Sequence, residues 1–232
     1  MRQKDKLILG NLTNVHIMIT SGPTRGYIDA VRYISNKSSG MLGTTIANEA
    51  LKRGAIVTFL YGTGSIIPDS APYDKDDANR LTLIEIETIE DLSKTIHKRL
   101  KETSFDAIIH AMAVLDYVPA QTERNKISSK VDMLTLTFKK TPKIIKQIRA
   151  LWPHAFFIGF KLEVGLTKAE LIERAYASLI ENNLDLVVAN DQDTIKGNKH
   201  RAYLINKKKD VEALCNTKQE ISNALTDRIS RK

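Results

Sequence analysis

The sequence predicts an α/β fold: a Rossmann-like, mostly parallel sheet with flanking helices. Short apolar runs recur at 15–20, 55–61, 81–86 and 106–111, and again at 156–160, 185–190 and 201–206. Between them lie segments whose apolar residues follow helical spacing, and strands that alternate with helices imply crossovers and parallel neighbours. The chain of 232 residues is 42% apolar and 27% charged, the balance of a globular protein that fills a core without disulfides.

The elements follow in order. Val15-His16-Ile17-Met18-Ile19-Thr20 reads as a buried strand. A helix over 44–54 has Ile46, Ala47, Ala50 and Leu51 on one face and Gly54 as its stop. Strands follow at 55–61 and 81–86, with a surface loop rich in Gly, Pro, Ser and Asp over 62–80. The helix at 90–100 sets Leu92, Ile96 and Leu100 on one face, and a strand follows at 106–111. Residues 116–130 are polar and aperiodic, the pattern of a mobile connection that can cover a site. Residues 134–138 alternate like a half-exposed strand, and Pro142 suits the first turn of a helix over 143–151. A strand at 156–160, a helix at 168–181, strands at 185–190 and 201–206, and a helix at 219–229 complete the chain. Lys207, Lys208 and Lys209 form a solvated turn between strands. The whole reads as one domain, 1–232, with an N-terminal extension over 1–14 and a flap over 116–130. The extra strands of the second half are expected to form a dimerisation subdomain, because 134–138 and 201–206 each leave an apolar face to be covered.

Composition narrows the function. Lys+Arg 35 against Asp+Glu 27 gives a formal charge of +8, which favours anionic ligands. No polybasic arm suggests nucleic acid. One cysteine, Cys215, permits no internal disulfide and fits a reducing compartment. Five histidines and that cysteine are scattered, so no structural zinc site and no protein metal site is expected. Leu7-Ile8-Leu9 is too short for a signal peptide, and no run approaches the ~18 apolar residues of a membrane span. A cytoplasmic protein is expected. A P-loop, a G-x-G-x-x-G after the first strand and a G-x-S-x-G elbow are all absent. Tyr33 and Lys37 match the tyrosine–lysine spacing of short-chain dehydrogenases but lie in the first loop instead of on a helix after a later strand.

In open α/β sheets ligands bind beyond the carboxyl ends of the strands. The residues at those ends are Ser21-Gly22-Pro23-Thr24-Arg25-Gly26, then Ser35-Asn36-Lys37-Ser38-Ser39-Gly40 ahead of a helix, then 111–117, then Phe160-Lys161-Leu162-Glu163. Ser38 or Ser39 can cap the helix, and glycines beside a helix start let an anion approach the free amides. Singly, each residue has an ordinary reading. Gly22 and Gly26 can be turn glycines, Asn36 a turn residue, His110 a core histidine, Asp116 a cap or surface charge, Lys126 a solvated lysine and Phe160 core.

Together the segments are more specific. Ile19-Thr20-Ser21-Gly22-Pro23-Thr24-Arg25 and the run from Ile28 to Gly43, with Asn36-Lys37-Ser38-Ser39-Gly40 at its centre, resemble the signature of phosphopantothenate–cysteine ligase. Ala111-Met112-Ala113-Val114-Leu115-Asp116-Tyr117, Lys126-Ile127-Ser128-Ser129, Lys140-Thr141-Pro142-Lys143-Ile144, Gly159-Phe160-Lys161-Leu162-Glu163 and Asp185-Leu186-Val187-Val188-Ala189-Asn190-Asp191 follow in family order. The resemblance is to the stand-alone bacterial branch, without a flavin-dependent decarboxylase half, so no flavin is expected.

That resemblance implies a ligase of coenzyme A biosynthesis. The carboxylate of 4′-phosphopantothenate attacks the α-phosphate of CTP or ATP, pyrophosphate leaves, and L-cysteine then attacks the acyl-nucleotide and releases the nucleoside monophosphate. Mg²⁺ accompanies the triphosphate, and a homodimer is implied. Asn36 corresponds to the asparagine at the acyl-phosphate and Lys126 to the flap lysine, the two catalytic candidates. Asp116, Phe160 and the Pro142-Lys143-Ile144 segment correspond to nucleotide-binding positions, joined by Gly22, Ser38, Ser39, Gly40 and Ala113. The family's bifunctional branch has two nucleotide-binding lysines where this chain has Ser178 and Asn182. The alternative readings are a nucleotide-binding regulatory module without catalysis and an NAD(P)-dependent oxidoreductase.

Overall fold

The structure, a computed structural model, describes residues 11–69, 80–130 and 132–232. Residues 1–10 of the expected extension and 70–79 of the expected 62–80 loop lie outside the described residues, whereas Leu12 is fully buried.

The chain runs β1 (His16–Ser21), β2 (Arg25–Tyr27), β3 (Tyr33–Ser35), α1 (Met41–Lys52), β4 (Ile56–Gly62), β5 (Leu81–Ile86), α2 (Ile89–Lys94) and β6 (Ala107–His110). It continues with β7 (Tyr117–Pro119), β8 (Phe138–Lys140), α3 (Ile144–Leu151), β9 (Phe156–Glu163), α4 (Lys168–Glu181) and β10 (Leu186–Asp191). β11 (Lys199–Asn206), β12 (Val211–Thr217) and α5 (Lys218–Ser230) close it. Eight strands form the central sheet in the order β12-β11-β10-β9-β6-β1-β4-β5. From β5 to β10 every pairing is parallel, and β11 and β12 are antiparallel additions.

Both faces of the sheet are covered. Leu92, Ile148, Leu171 and Leu179 of α2, α3 and α4 pack on one face with Phe157 and Val187. Ile46, Leu51, Ile221 and Leu225 of α1 and α5 pack on the other with Ile19 and Phe59. Double coverage explains why the parallel strands are continuous apolar runs instead of alternating ones.

Side chains and one glycine define several helix ends. α2 and α4 begin with capping boxes, Thr88 with Asp91 and Thr167 with Glu170. Gly54 follows α1 at φ 95, the left-handed turn that stops a helix. The predicted 90–100 helix is α2 plus one π turn over Thr95–Arg99. Two successive spacings of four drift around a helix of 3.6 residues per turn, and the wider turn keeps Ile96 and Leu100 on the buried face.

Several expectations are corrected. The 201–206 segment lies within β11, inside the main sheet, and Ala202–Ile205 are buried between α4 and α5 with β12 along the edge. It leaves no apolar face for a partner. Residues 134–137 form no strand; β8 begins at Phe138 and pairs antiparallel with β7 in a separate two-stranded arm. Alternation there lacks a covering layer, and Met133, Leu134 and Phe138 remain exposed at 83%, 45% and 43%. Pro142 precedes α3 instead of entering its first turn, because Lys143 is the N-cap. Among the described residues no helix is long and apolar enough to cross a membrane.

Candidate functional site

The strand order reverses at β1: β4 and β5 extend to one side, β6, β9 and β10 to the other. A crevice beyond the carboxyl ends is the expected result at such a point. A cleft of about 470 Å³ opens beyond β6 and β9, between the start of α3 and one side of α4. Asp116, Pro142, Lys143, Ile144 and Phe160, five of the candidates, line it together.

Threonines hold the wall of this cleft. The Leu115 amide donates to Thr24 Oγ1 at 3.0 Å, and Thr141 Oγ1 donates to the Leu115 carbonyl at 2.7 Å. The 111–116 loop is therefore fixed from both sides, and Thr24 and Thr141 are buried. Asp116 leaves this loop exposed and pairs with Lys143 Nζ at 2.6 Å. The ion pair spans the cleft mouth and is open to solvent, so a ligand phosphate can compete for the lysine.

Asn36 arrives from the other side of the switch point. The β2–β3 hairpin ends at Ser35, whose hydroxyl donates to the Thr24 carbonyl at 3.0 Å. Asn36 Nδ2 then donates to the carbonyls of Ala113 and Val114 at 3.2 and 3.3 Å. Val114 lines the cleft, so Asn36 stands at its rim. Ala113 joins the halves: its amide donates to the Gly22 carbonyl at 2.8 Å.

The remaining candidates form a second group at the start of α1. Gly40, at φ 77, is the N-cap, so Ser38 and Ser39 precede the cap and neither is the cap residue expected from sequence. Ser39 Oγ still accepts the Met41 amide at 3.4 Å, and its carbonyl accepts the Ile66 amide at 2.9 Å. Gly22 and Gly40 are glycines because the Ser65 loop approaches them: a Cβ on Gly22 would meet Ser65 Oγ at 1.9 Å, and one on Gly40 would meet Ser65 Cβ at 3.0 Å. The first-turn amides of α1 lack intrahelical acceptors, the usual basis for anion binding. The structure thus brings the nucleotide candidates together as two groups joined by Ala113 and Asn36.

Lys126 is exposed on the 120–130 loop. That loop is tied to the β2–β3 hairpin: Thr122 Oγ1 donates to the Tyr27 carbonyl and the Glu123 amide to the Ile28 carbonyl, both at 3.0 Å. The polar segment expected as a mobile connection therefore starts with β7 and carries defined anchors.

Sequence reasoning missed Arg174, Ala177 and Glu181, which line the cleft from α4 together with Ser178 and Asn182, the two positions that the resemblance aligned with lysines. The spacing of these residues, i, i+3, i+4, i+7, i+8, is one helical stripe that flanks the core face of Leu171, Ala175 and Leu179. Asn182 Nδ2 donates to the Ser178 carbonyl at 2.8 Å, and both residues, which the resemblance aligned with two nucleotide-binding lysines, stand on the cleft wall. Positive charge comes instead from Lys161 and Arg174, which both bind Glu163 at 3.1 Å. Glu181 titrates below the ordinary carboxylate range, chiefly through its bond to Lys146, with the charges of Lys143 and Lys140 adding to it.

His110 lines the cleft floor, shares a 2.7 Å hydrogen bond with Thr20 Oγ1, and is pushed down to about 4 by burial. It is neutral at pH 7 and can exchange hydrogen bonds without adding charge. No group of three or more His, Cys, Asp or Glu among the described residues is placed to hold a metal ion.

The comparisons point one way. The chain matches the family described as the DNA/pantothenate metabolism flavoprotein C-terminal domain over residues 12–232. The coenzyme A biosynthesis bifunctional protein CoaBC of Thermococcus kodakarensis is 35% identical over 229 residues, 97% of this chain and 53% of that protein. This chain spans about half the length of the curated relatives it matches. A crystal structure of the DNA/pantothenate metabolism flavoprotein from Streptococcus pneumoniae superposes with a TM-score of 0.81 at 33% identity, covering 94% of this chain and 99% of that one. The C-terminal domain of a CoaBC protein gives 0.74 at 25% identity, covering 96% and 97%.

Proposed function

The chain belongs to the DNA/pantothenate metabolism flavoprotein C-terminal domain family, and from that premise we propose that it is a phosphopantothenate–cysteine ligase. It joins 4′-phosphopantothenate and L-cysteine through an acyl-nucleotide made from CTP or ATP. The observation that carries this reading is the convergence of Asn36, Ala113, Asp116, Lys143 and Phe160 around one switch-point cleft.

The chemistry needs three things from the protein. The first is attraction for two polyanions, for which Lys143, Lys161, Arg174 and the start of α1 are placed. Mg²⁺ would arrive on the triphosphate, held by phosphate oxygens and water. The second is in-line placement of the carboxylate at the α-phosphate, so that pyrophosphate leaves on the far side. The third is stabilisation of the charge that develops when the cysteine amine attacks the acyl carbon. Asn36 is the donor proposed for that charge: its Nδ2 hydrogens sit in long bonds to two carbonyls, and a negative oxygen is the better acceptor. Lys126 is proposed to reach the phosphate of the intermediate from the 120–130 loop.

Omitting cysteine tests this directly. Mass spectrometry of a reaction holding CTP or ATP, Mg²⁺ and phosphopantothenate should find a phosphopantothenoyl-nucleotide that disappears on adding cysteine. Absence of that species with both nucleotides, from folded protein, contradicts the reading.

A further inference from the structure

Asp29 lies in the turn between β2 and β3 and is fully buried. A carboxylate out of water needs several partners. Its Oδ1 accepts the amides of Val31 and Arg32 at 2.9 and 2.8 Å. Those two bonds make an ordinary turn. Its Oδ2 does something else: it accepts the amide of Ile127, 98 residues away in sequence, at 3.0 Å. Arg32 Nη2 pairs with the same Oδ2 at 2.9 Å and donates to the Ile127 carbonyl at 2.6 Å. Both backbone polar groups of Ile127 are therefore gripped by one charged pair. Burial drives the Asp29 carboxyl upward, but the amides of Val31, Ile127 and Arg32 and the Arg32 charge outweigh it, so it titrates below the ordinary range.

Ile127 is the neighbour of Lys126. The hairpin that carries the grip also ends at Asn36. One rigid element thus fixes the backbone next to one proposed catalytic side chain and delivers the other. We propose that Asp29 is a positioning residue: it clips the 120–130 loop at Ile127, so that Lys126 sweeps into the site as a side chain on a fixed backbone instead of on a loop that must first be ordered. The clip rests on the proposed role of Lys126. Fixing the backbone in advance removes an entropic cost from the reacting state, which is where a positioning residue acts.

The alternative is that Asp29 merely shapes the hairpin turn. Two variants of the full chain separate the two. Asp29→Asn keeps the shape and removes the charge. Arg32→Gln removes the carbonyl grip from a side chain that is 41% exposed, so folding is less at risk. Hydrogen exchange of the 120–130 peptide and single-turnover kinetics are measured on both, with nucleotide affinity alongside. The clip predicts exchange in that peptide faster by about tenfold or more, the scale of one lost charged hydrogen bond. The rest of the chain keeps its protection. The step that uses the acyl-nucleotide slows by a similar factor, while nucleotide affinity changes less than twofold. Unchanged exchange overturns the proposal, and so does faster exchange with a wild-type chemical step. Lys126→Gln in the same assays isolates the parent reading: wild-type turnover in that variant removes the role of Lys126 and the clip's purpose with it, whereas lost turnover with unchanged exchange supports the role on which the clip rests.

Discussion

Asn36 is exposed and short, yet its position is over-determined. Ser35 is bonded to Thr24, Thr24 to the 111–116 loop, and Asn36 to that same loop. Replacing Asn36 with alanine should leave this frame standing, because the frame is built from Thr24 and Thr141. The expected result for Asn36→Ala is a kcat lower by about 10²–10³, the usual cost of one charge-stabilising donor. Nucleotide affinity measured by calorimetry should stay within a few-fold. His110 gives a pH prediction. Its ordinary value is 6.5 and burial brings it to about 4 in the folded chain. Between those values the unfolded chain binds a proton that the folded chain refuses. Stability is full above pH 6.5, declines as pH falls towards 4, and stops declining below it, by up to about 3 kcal/mol from this residue. His200, lowered to about 4 by burial with a contribution from the Lys218 charge, acts in the same direction. Urea unfolding at pH 7 and pH 5 checks this, and His110→Gln should flatten the difference.

The elements show which signals a sequence carries. The parallel strands were legible because a strand covered on both faces is an unbroken apolar run, as Ile17 beside Val57 and Ile19 beside Phe59 show across β1 and β4. The helices were legible from their apolar stripes and from Gly54. β2 and β3 were not, because three residues with one half-buried apolar side chain leave no period to read. β12 was missed because it is an edge strand: Val211, Glu212, Leu214 and Asn216 are exposed and only Cys215 is buried, so no apolar face stands out. The 134–138 alternation misled because a pattern records a face without recording what covers it. At the site, strand ends pointed to Asn36, Asp116 and Phe160, and the family resemblance to Lys143 and to the positions of Ser178 and Asn182, while Arg174, Ala177 and Glu181 stayed hidden because one side of an amphipathic helix names no neighbour until β9 is placed beside it. The α4 stripe carries its own prediction. Arg174→Gln should weaken nucleotide binding several-fold at low salt, and the loss should shrink as ionic strength rises, because the side chain is 58% exposed and acts through a screened charge. Loss of affinity independent of salt would mean a packing role instead.

At the scale of the molecule, the chain carries a formal charge of +8, and steering of the two polyanions proposed as substrates is the simplest consequence expected of it. The β7–β8 arm stands outside the main sheet with Tyr117, Met133, Leu134 and Phe138 exposed. A homodimer closed through this arm is the arrangement we expect, with light scattering at micromolar concentration giving twice the chain mass and Leu134→Asp with Phe138→Asp giving a monomer. A wild-type monomer would remove it. The central claim is that this cleft forms an acyl-nucleotide from phosphopantothenate. Pyrophosphate release from CTP and from ATP, measured with Mg²⁺, with and without phosphopantothenate and before cysteine is added, tests it most directly. The expected result is a burst close to one pyrophosphate per site that requires phosphopantothenate, then steady turnover once cysteine is present. Pyrophosphate that never depends on phosphopantothenate, with either nucleotide, would contradict it.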